Sequence, residues 1–220
     1  MARVLVVLDV DSTLIEDEII ELLAAEAGSA ERVAEITFRA MNGELDFEES
    51  LRERVATLEG LPASVFETVG SRVTVTRGVP AMIQGVQDAG GQVAVVSGGF
   101  HEVIDPIARE LGLDHWRANR LEVSDGVLTG GLIPPIIDAA AKADAVREWV
   151  DLSGIPLSQT LAVGDGANDL PLMAICGLAV GFAAKAPVRD LSNVLLDERD
   201  LAMLLPLMGL ASPVVEPVET

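Results

Sequence analysis

Three stretches of this chain share one pattern: a short run of Val, Leu and Ala that passes directly into small or acidic residues. They are Val4 to Leu8 before Asp9, Gln92 to Val96 before Ser97-Gly98-Gly99, and Thr160 to Val163 before Gly164-Asp165-Gly166, with Gly177 to Val180 as a fourth. Runs that are apolar at every position, rather than at alternate ones, belong to parallel strands covered on both faces. The stretches Val79 to Ala89, His101 to Leu111 and Lys142 to Leu152 carry apolar residues at helical spacing. Strand and helix in alternation predict an α/β fold with a doubly wound, mainly parallel sheet. Ligands of such sheets bind beyond the carboxyl ends of the strands. Asp9, Ser97 and Asp165 all fall at that edge.

The strand pattern stops between about Ile15 and Thr76. Glu18 to Ala27, Ala30 to Met41, Phe47 to Leu58 and Ala63 to Gly70 read instead as four amphipathic helices separated by Gly or Pro. The expected organisation is a catalytic core of residues 1–14 and 77–208 and a helical cap of residues 15–76 covering the sheet edge. A Pro-rich, frayed tail is expected over residues 209–220. Alternation and an Asp125-Gly126 turn between Leu121 and Thr129 predict a β-hairpin.

Asp plus Glu number 35 against 15 Lys plus Arg, a net charge of −20. That balance speaks against nucleic-acid and anionic-membrane partners, which require clustered positive charge. It also means that an anionic substrate must be gripped by a few specific cations. No apolar stretch approaches the length of a membrane span, and no signal peptide is read at the N-terminus. The single Cys176 sits among small apolar residues and reads as a buried, inert thiol. A cytoplasmic location is the expectation.

The chemistry concentrates in two motifs. Asp9-Val10-Asp11-Ser12-Thr13 places two carboxylates one residue apart at a strand exit. At roughly 4 Å and an effective dielectric near 20, such a like-charge pair costs about 4 kcal/mol unless a cation or a proton intervenes. Sites that accept this cost bind a metal or use the pair as acid and base. Gly164-Asp165-Gly166-Ala167-Asn168-Asp169 brings two more carboxylates to the same edge. All-oxygen ligation by Asp9, Asp165 and Asp169 suits Mg²⁺, while one Cys and two His leave zinc without ligands. His101 and His115 read as surface or helix-end residues. Ser97-Gly98-Gly99 is expected at the start of the next helix, where a hydroxyl and successive N–H groups favour an anion. A serine nucleophile is disfavoured, because no Gly-x-Ser-x-Gly elbow is present. By spacing alone Lys142, in an alanine-rich helix, reads as a surface lysine, with a second phosphate-binding cation as the alternative.

Asp9-x-Asp11-x-Thr13, Ser97, Lys142 and Gly164-Asp165-x-x-Asn168-Asp169 occur in the order of the four motifs of the haloacid dehalogenase-like hydrolases. The chain resembles that family from Met1 to about Leu205. Glu18, Phe47-Glu48-x-Ser50-Leu51-Arg52-x-Arg54-Val55 and Ala118-Asn119-Arg120-Leu121 make it similar to the members that hydrolyse O-phospho-L-serine. The resemblance implies that Asp9 is the nucleophile and forms an aspartyl-phosphate. Asp11 would protonate the leaving alkoxide and then activate water. Asp9, Asp165 and the Asp11 backbone carbonyl would ligate Mg²⁺, with Asp169 acting directly or through water. Ser97, Gly98, Lys142 and Asn168 would hold the phosphoryl oxygens. From the cap, Glu18 would pair with a substrate ammonium and Arg54 with its carboxylate, and Met41 and Phe47 would line the cover.

The implied reaction is release of phosphate from O-phospho-L-serine, the last step of serine biosynthesis, by a monomer or a homodimer. Feedback through an additional N-terminal regulatory domain is not expected. Two alternatives within the fold are a phosphatase for another small phosphorylated amine and a transferase to homoserine. A receiver-like phosphoacceptor domain is the alternative of another class. The helical insert and Asp11 speak against it, because a receiver has neither a cap for a substrate nor an acid for a leaving group.

Overall fold

The computed structural model describes residues 3–211; most of the tail expected from residue 209 lies outside the described residues. Strand β1 (Leu5–Leu8) is followed by helices α1 (Ile19–Ala27), α2 (Ala30–Met41), α3 (Phe47–Ala56) and α4 (Val65–Gly70). Next come α5 (Val79–Asp88), β2 (Gln92–Phe100), α6 (His101–Leu111), β3 (His115–Ser124), β4 (Val127–Ile133) and α7 (Ala139–Ser153). The chain then alternates through β5 (Thr160–Gly164), α8 (Leu170–Met173), β6 (Leu178–Phe182), α9 (Ala186–Leu191), β7 (Val194–Leu196) and α10 (Leu204–Leu207). Among the described residues no helix is long and apolar enough to cross a membrane.

The strands form one sheet in the order β4-β3-β2-β1-β5-β6-β7, parallel throughout except for the β3–β4 hairpin. Its turn places both Asp125 and Gly126 at positive φ, as an Asp-Gly hairpin requires. β1 is the central strand, and its four side chains are fully buried. Val6 and Leu8 pack into one apolar cluster with α1, α5, α6 and α10. Leu5 and Val7 pack into the other with α7, α8 and α9. This alternation is the reason the strand is apolar at every position: each face of the sheet has its own core.

On the α7 side, Ala94, Val7, Ala162 and Ala179 stand side by side across four strands. This row of small side chains leaves room for α7, whose Ala143, Ala145, Val146 and Trp149 share the same cluster. α7 begins at Ala139, three residues before the expected start. Asp138 caps it by accepting the Ala141 N–H at 2.8 Å, which places Lys142 within the first turns.

Two expectations for this edge need correction. β2 does not end at Val96 but continues to Phe100, so Ser97-Gly98-Gly99 is extended chain and not the start of a helix. Between Val96, opposite Arg117, and Phe100, opposite Asn119, β2 uses two more residues than β3. The strand therefore bulges at Ser97–Gly99, and the Ser97 hydroxyl takes the Gly99 N–H at 2.7 Å. β7 was not anticipated; three residues are too short for a periodic signal.

The four helices after β1 are attached at two places. Ile15 and Val75 form an antiparallel bridge, supported by Glu16 N–H to the Thr74 carbonyl at 2.9 Å and Thr76 N–H to that of Leu14 at 3.0 Å. At the other end, the chain between α3 and α4 pairs with the hairpin, through Gly60 N–H to the Leu128 carbonyl and Leu128 N–H to that of Leu61, both 2.8 Å. Apolar residues of all four helices merge with the core cluster under β1 and β2.

The small-residue row is open to a direct test. Ala162→Leu adds bulk where α7 closes on the sheet and should lower stability by about 1–3 kcal/mol. The urea midpoint should fall with an unchanged slope.

Candidate active site

The chain leaves β1 without breaking the ladder. Asp9 stays extended and donates its N–H to the Val163 carbonyl at 2.9 Å. One wide turn follows, closed by Ile15 N–H on the Val10 carbonyl at 3.0 Å. Within it Ser12 takes a left-handed φ of 57°, a conformation that disfavours a side chain. Three contacts hold that turn: Ser12 N–H to the Asp17 carbonyl (3.2 Å), Ser12 Oγ to Glu18 Oε1 (2.7 Å), and the Arg199 guanidinium to the Ser12 carbonyl (3.0 Å). Arg199 in turn lies over the Phe182 ring.

Lys142 corrects its spacing-only reading, being 1% exposed. Its ammonium lies 2.8 Å from Asp9 Oδ1 and 2.9 Å from Asp169 Oδ1. Burial alone would lower its pKa, but the two carboxylates outweigh burial and hold it above the usual lysine value. Asp9, Asp165 and Asp169 each present a carboxylate oxygen within 4.8 Å of the others, and all three are buried. Burial first, and Asp9 second, push Asp169 up to about 7. Lys185, exposed beyond β6, pairs with Asp165 Oδ2 at 2.9 Å. Three hard oxygen donors held this close match the preference of a small divalent cation. Gly164 makes the cluster possible: a Cβ there would come within 2.2 Å of Asp169 Oδ2.

Asp11 faces a different environment. Its Oδ1 accepts the Ile19 N–H at the start of α1 at 2.8 Å, and its Oδ2 accepts from Ser97 Oγ at 3.2 Å. Desolvation, then Glu18, then Asp9 raise its pKa to about 7. Two acids one residue apart are thereby separated in character, one held beside an ammonium and the other prone to keep a proton. Asp11 contributes no carboxylate to the acidic cluster.

A cavity of about 660 Å³ opens above this edge. Asp9, Asp11, Gly98, Asp165 and Asn168 form its floor, and Asn168 Nδ2 donates to Asp9 Oδ2 at 3.3 Å. Glu18, Met41, Phe47 and Arg54 line it from the helices, although Met41 is 78% exposed. The Phe47 ring comes down over Gly98, where an added Cβ would meet Cζ at 3.1 Å. Arg54 is partly buried, which lowers its pKa, and among the described residues it makes no ion pair. Its Nε donates to the Ser50 carbonyl at 3.2 Å. Glu18 has a raised pKa, chiefly from burial. Ser97, Lys142 and Asp169 stand behind the cavity wall: Ser97 bonds to Asp11, and Lys142 to both Asp9 and Asp169.

The model of the haloacid dehalogenase-like hydrolases matches residues 6–174. The chain belongs to this family. The haloacid dehalogenase-like hydrolases similar to it include a phosphoserine phosphatase of Streptomyces coelicolor, 49% identical over all of this chain and 53% of that protein. The chain thus spans about half the length of that relative. A phosphoserine phosphatase of Streptococcus thermophilus is 46% identical over 93% of this chain and 95% of its own. Among solved structures, a phospho-aspartyl intermediate analogue of phosphoserine phosphatase superposes with a TM-score of 0.88 at 40% identity, covering 94% of this chain and 100% of that one. A substrate-bound phosphoserine phosphatase superposes with a TM-score of 0.89 at 39% identity, covering 94% and 99%.

Lys185 was absent from the sequence reading, although it follows the strand read over Gly177 to Val180. The rule that ligands gather beyond strand ends pointed to its position. His115 lies in β3 and stacks on Trp149, not at a helix end, while His101 opens α6 with Nδ1 2.6 Å from Asp105. Cys176 is half-buried, and its thiol is pushed up to about 12 by burial.

The raised Asp11 pKa fixes the sign of a pH effect. The folded state binds this proton more tightly than the unfolded chain, so the group's stabilisation is full near pH 4 and lost as pH rises toward about 7. In chelator, Asp11→Asn should therefore be more stable than the native chain at pH 8. The gain should be about 1–3 kcal/mol, below the full shift because the cavity admits water, and it should vanish near pH 4 in urea titrations.

Proposed function

We propose that this chain is a Mg²⁺-dependent phosphomonoesterase that hydrolyses O-phospho-L-serine to L-serine and phosphate, the closing step of serine biosynthesis. Asp9 attacks phosphorus, the ester P–O bond breaks, and the serine alkoxide takes the proton of Asp11. Asp11, now ionised, removes a proton from water. That water attacks the aspartyl-phosphate, freeing Asp9 and phosphate and restoring the Asp11 proton. A carboxyl that titrates near neutral pH suits both halves of the cycle.

Asp9, Asp165 and Asp169, with the Asp11 backbone carbonyl, would hold the metal. When bound, it would neutralise the acidic cluster and offset the repulsion between Asp9 and a phosphate dianion. Ser97, Gly98, Lys142 and Asn168 would retain the phosphoryl oxygens, and Lys142 already neutralises Asp9 from behind. Residues 15–76 act as the cover over a core of residues 1–14 and 77–208, with Met41 and Phe47 closing on the substrate. A cytoplasmic enzyme, monomeric or homodimeric, fits this reading.

One observation carries the substrate assignment. Arg54, half-buried and without a carboxylate partner among the described residues, and the acidic Glu18 line one cavity with Asp9 and Asp11. The pair offers opposite charges to the carboxylate and ammonium of a zwitterionic amino acid.

Phosphate release from a panel of phosphorylated amino acids, amines and aryl phosphates, with Mg²⁺ or chelator, tests this reading. O-Phospho-L-serine should rank among the best substrates, chelator should stop turnover, and Asp9→Asn should lose about a thousandfold or more. Near-normal turnover by Asp9→Asn would sink the nucleophile assignment. Arg54→Ala should cost about 2–5 kcal/mol of transition-state binding on O-phospho-L-serine and far less on an aryl phosphate lacking a carboxylate. Equal losses on both would make Arg54 structural.

A further inference from the structure

Asn119 is 1% exposed, lies on β3 and is given no role by the reading above. It stands opposite Phe100, where the ladder resumes after the two-residue bulge of β2. A bulge interrupts the main-chain pairing, and a buried carbonyl left there needs another donor. The Asn119 side chain supplies it: Nδ2 donates to the Gly98 carbonyl at 2.9 Å. Its Oδ1 accepts the Ile137 N–H at 2.7 Å, just ahead of Asp138, which caps α7.

One planar amide is thus wedged between two elements of the site. On one side is Gly98, on the cavity floor; on the other is the root of the helix that carries Lys142. With the Gly98 carbonyl turned toward β3, the Gly98–Gly99 peptide is fixed in one orientation, which delivers the Gly99 N–H to Ser97 Oγ and leaves that hydroxyl to donate to Asp11. Neither contact can be made by an apolar side chain, and an isosteric carboxylate can make both only while it carries a proton.

We infer that Asn119 is a positioning residue that stands in for the interrupted β2–β3 ladder and sets the Ser97–Gly99 bulge and the α7 root at the spacing phosphoryl transfer needs. The inference rests on the reading of that bulge as the phosphoryl cradle.

The test uses Asn119→Ser, which cannot span both partners, and Asn119→Asp, each with Mg²⁺ and p-nitrophenyl phosphate, well below the melting temperature of each variant. Asn119→Ser should lose tenfold or more in kcat with KM within threefold of the native value. Asn119→Asp should recover much of that loss at acid pH, where the buried acid is protonated and replaces the amide. It should lose it again as pH rises, with a kcat–pH profile the native chain does not show. Circular dichroism at the assay temperature checks that each variant is folded. If Asn119→Ser does not fold, the Asn119→Asp profile decides alone. Native kcat in both variants, or Asn119→Asp with the native pH profile, overturns the inference. A native chain without phosphomonoesterase activity would instead overturn the cradle reading itself.

Discussion

The buried ammonium of Lys142 between Asp9 and Asp169 is the interaction on which the rest of the site depends. Three carboxylates gathered within 4.8 Å would repel one another strongly away from bulk water. Lys142 offsets part of that repulsion from the protein side, and Lys185, paired with Asp165, offsets part of it from the cavity side. Breaking such a pair by removing one partner typically costs about 3–5 kcal/mol, because a buried charge is left uncompensated. The geometry follows from packing more than from charge: α7 can reach the sheet only because the residues beneath it are small. Fold and chemistry meet in that row of three alanines and one valine.

The same economy separates the two acids at the end of β1. Asp9 remains tied into the sheet ladder and faces an ammonium. Asp11, two residues on, has been carried by the strained Ser12 turn to the start of α1 and the company of Glu18. Two acids separated by a single residue thus meet different surroundings through where the backbone sends them. Arg199, from near the end of the described chain, holds the turn that makes this possible.

Much of this was legible in the sequence. The apolar runs gave the central strands because a parallel strand buried on both faces has no polar positions to disguise it. The acids at their ends fell at one edge because parallel strands all finish there. Lys142 was not legible from spacing, since helical periodicity does not say which face an isolated lysine shows when its neighbours are all alanine. The Ser97–Gly99 bulge was missed for another reason: the bulge depends on pairing with β3, a partner distant in sequence. Glu18 and Arg54 were recognised through motif resemblance; their charge alone would have placed them on a solvated helix face. Arg199 acts through a main-chain contact that no local pattern announces, while Asn119 was visible only as part of a motif and Lys185 only as a residue beyond a strand end.

The bridge between Ile15 and Val75 has a consequence for the architecture as a module. The chain departs from the sheet layer and rejoins it at adjoining points, so the intervening helices form a closed excursion whose ends are already fixed. The entropy of closing such an excursion grows only with the logarithm of its length. Residues can be added to its loops away from Glu18 and Ile19, whose contacts hold the Asp11 turn, at little entropic cost and without moving its ends.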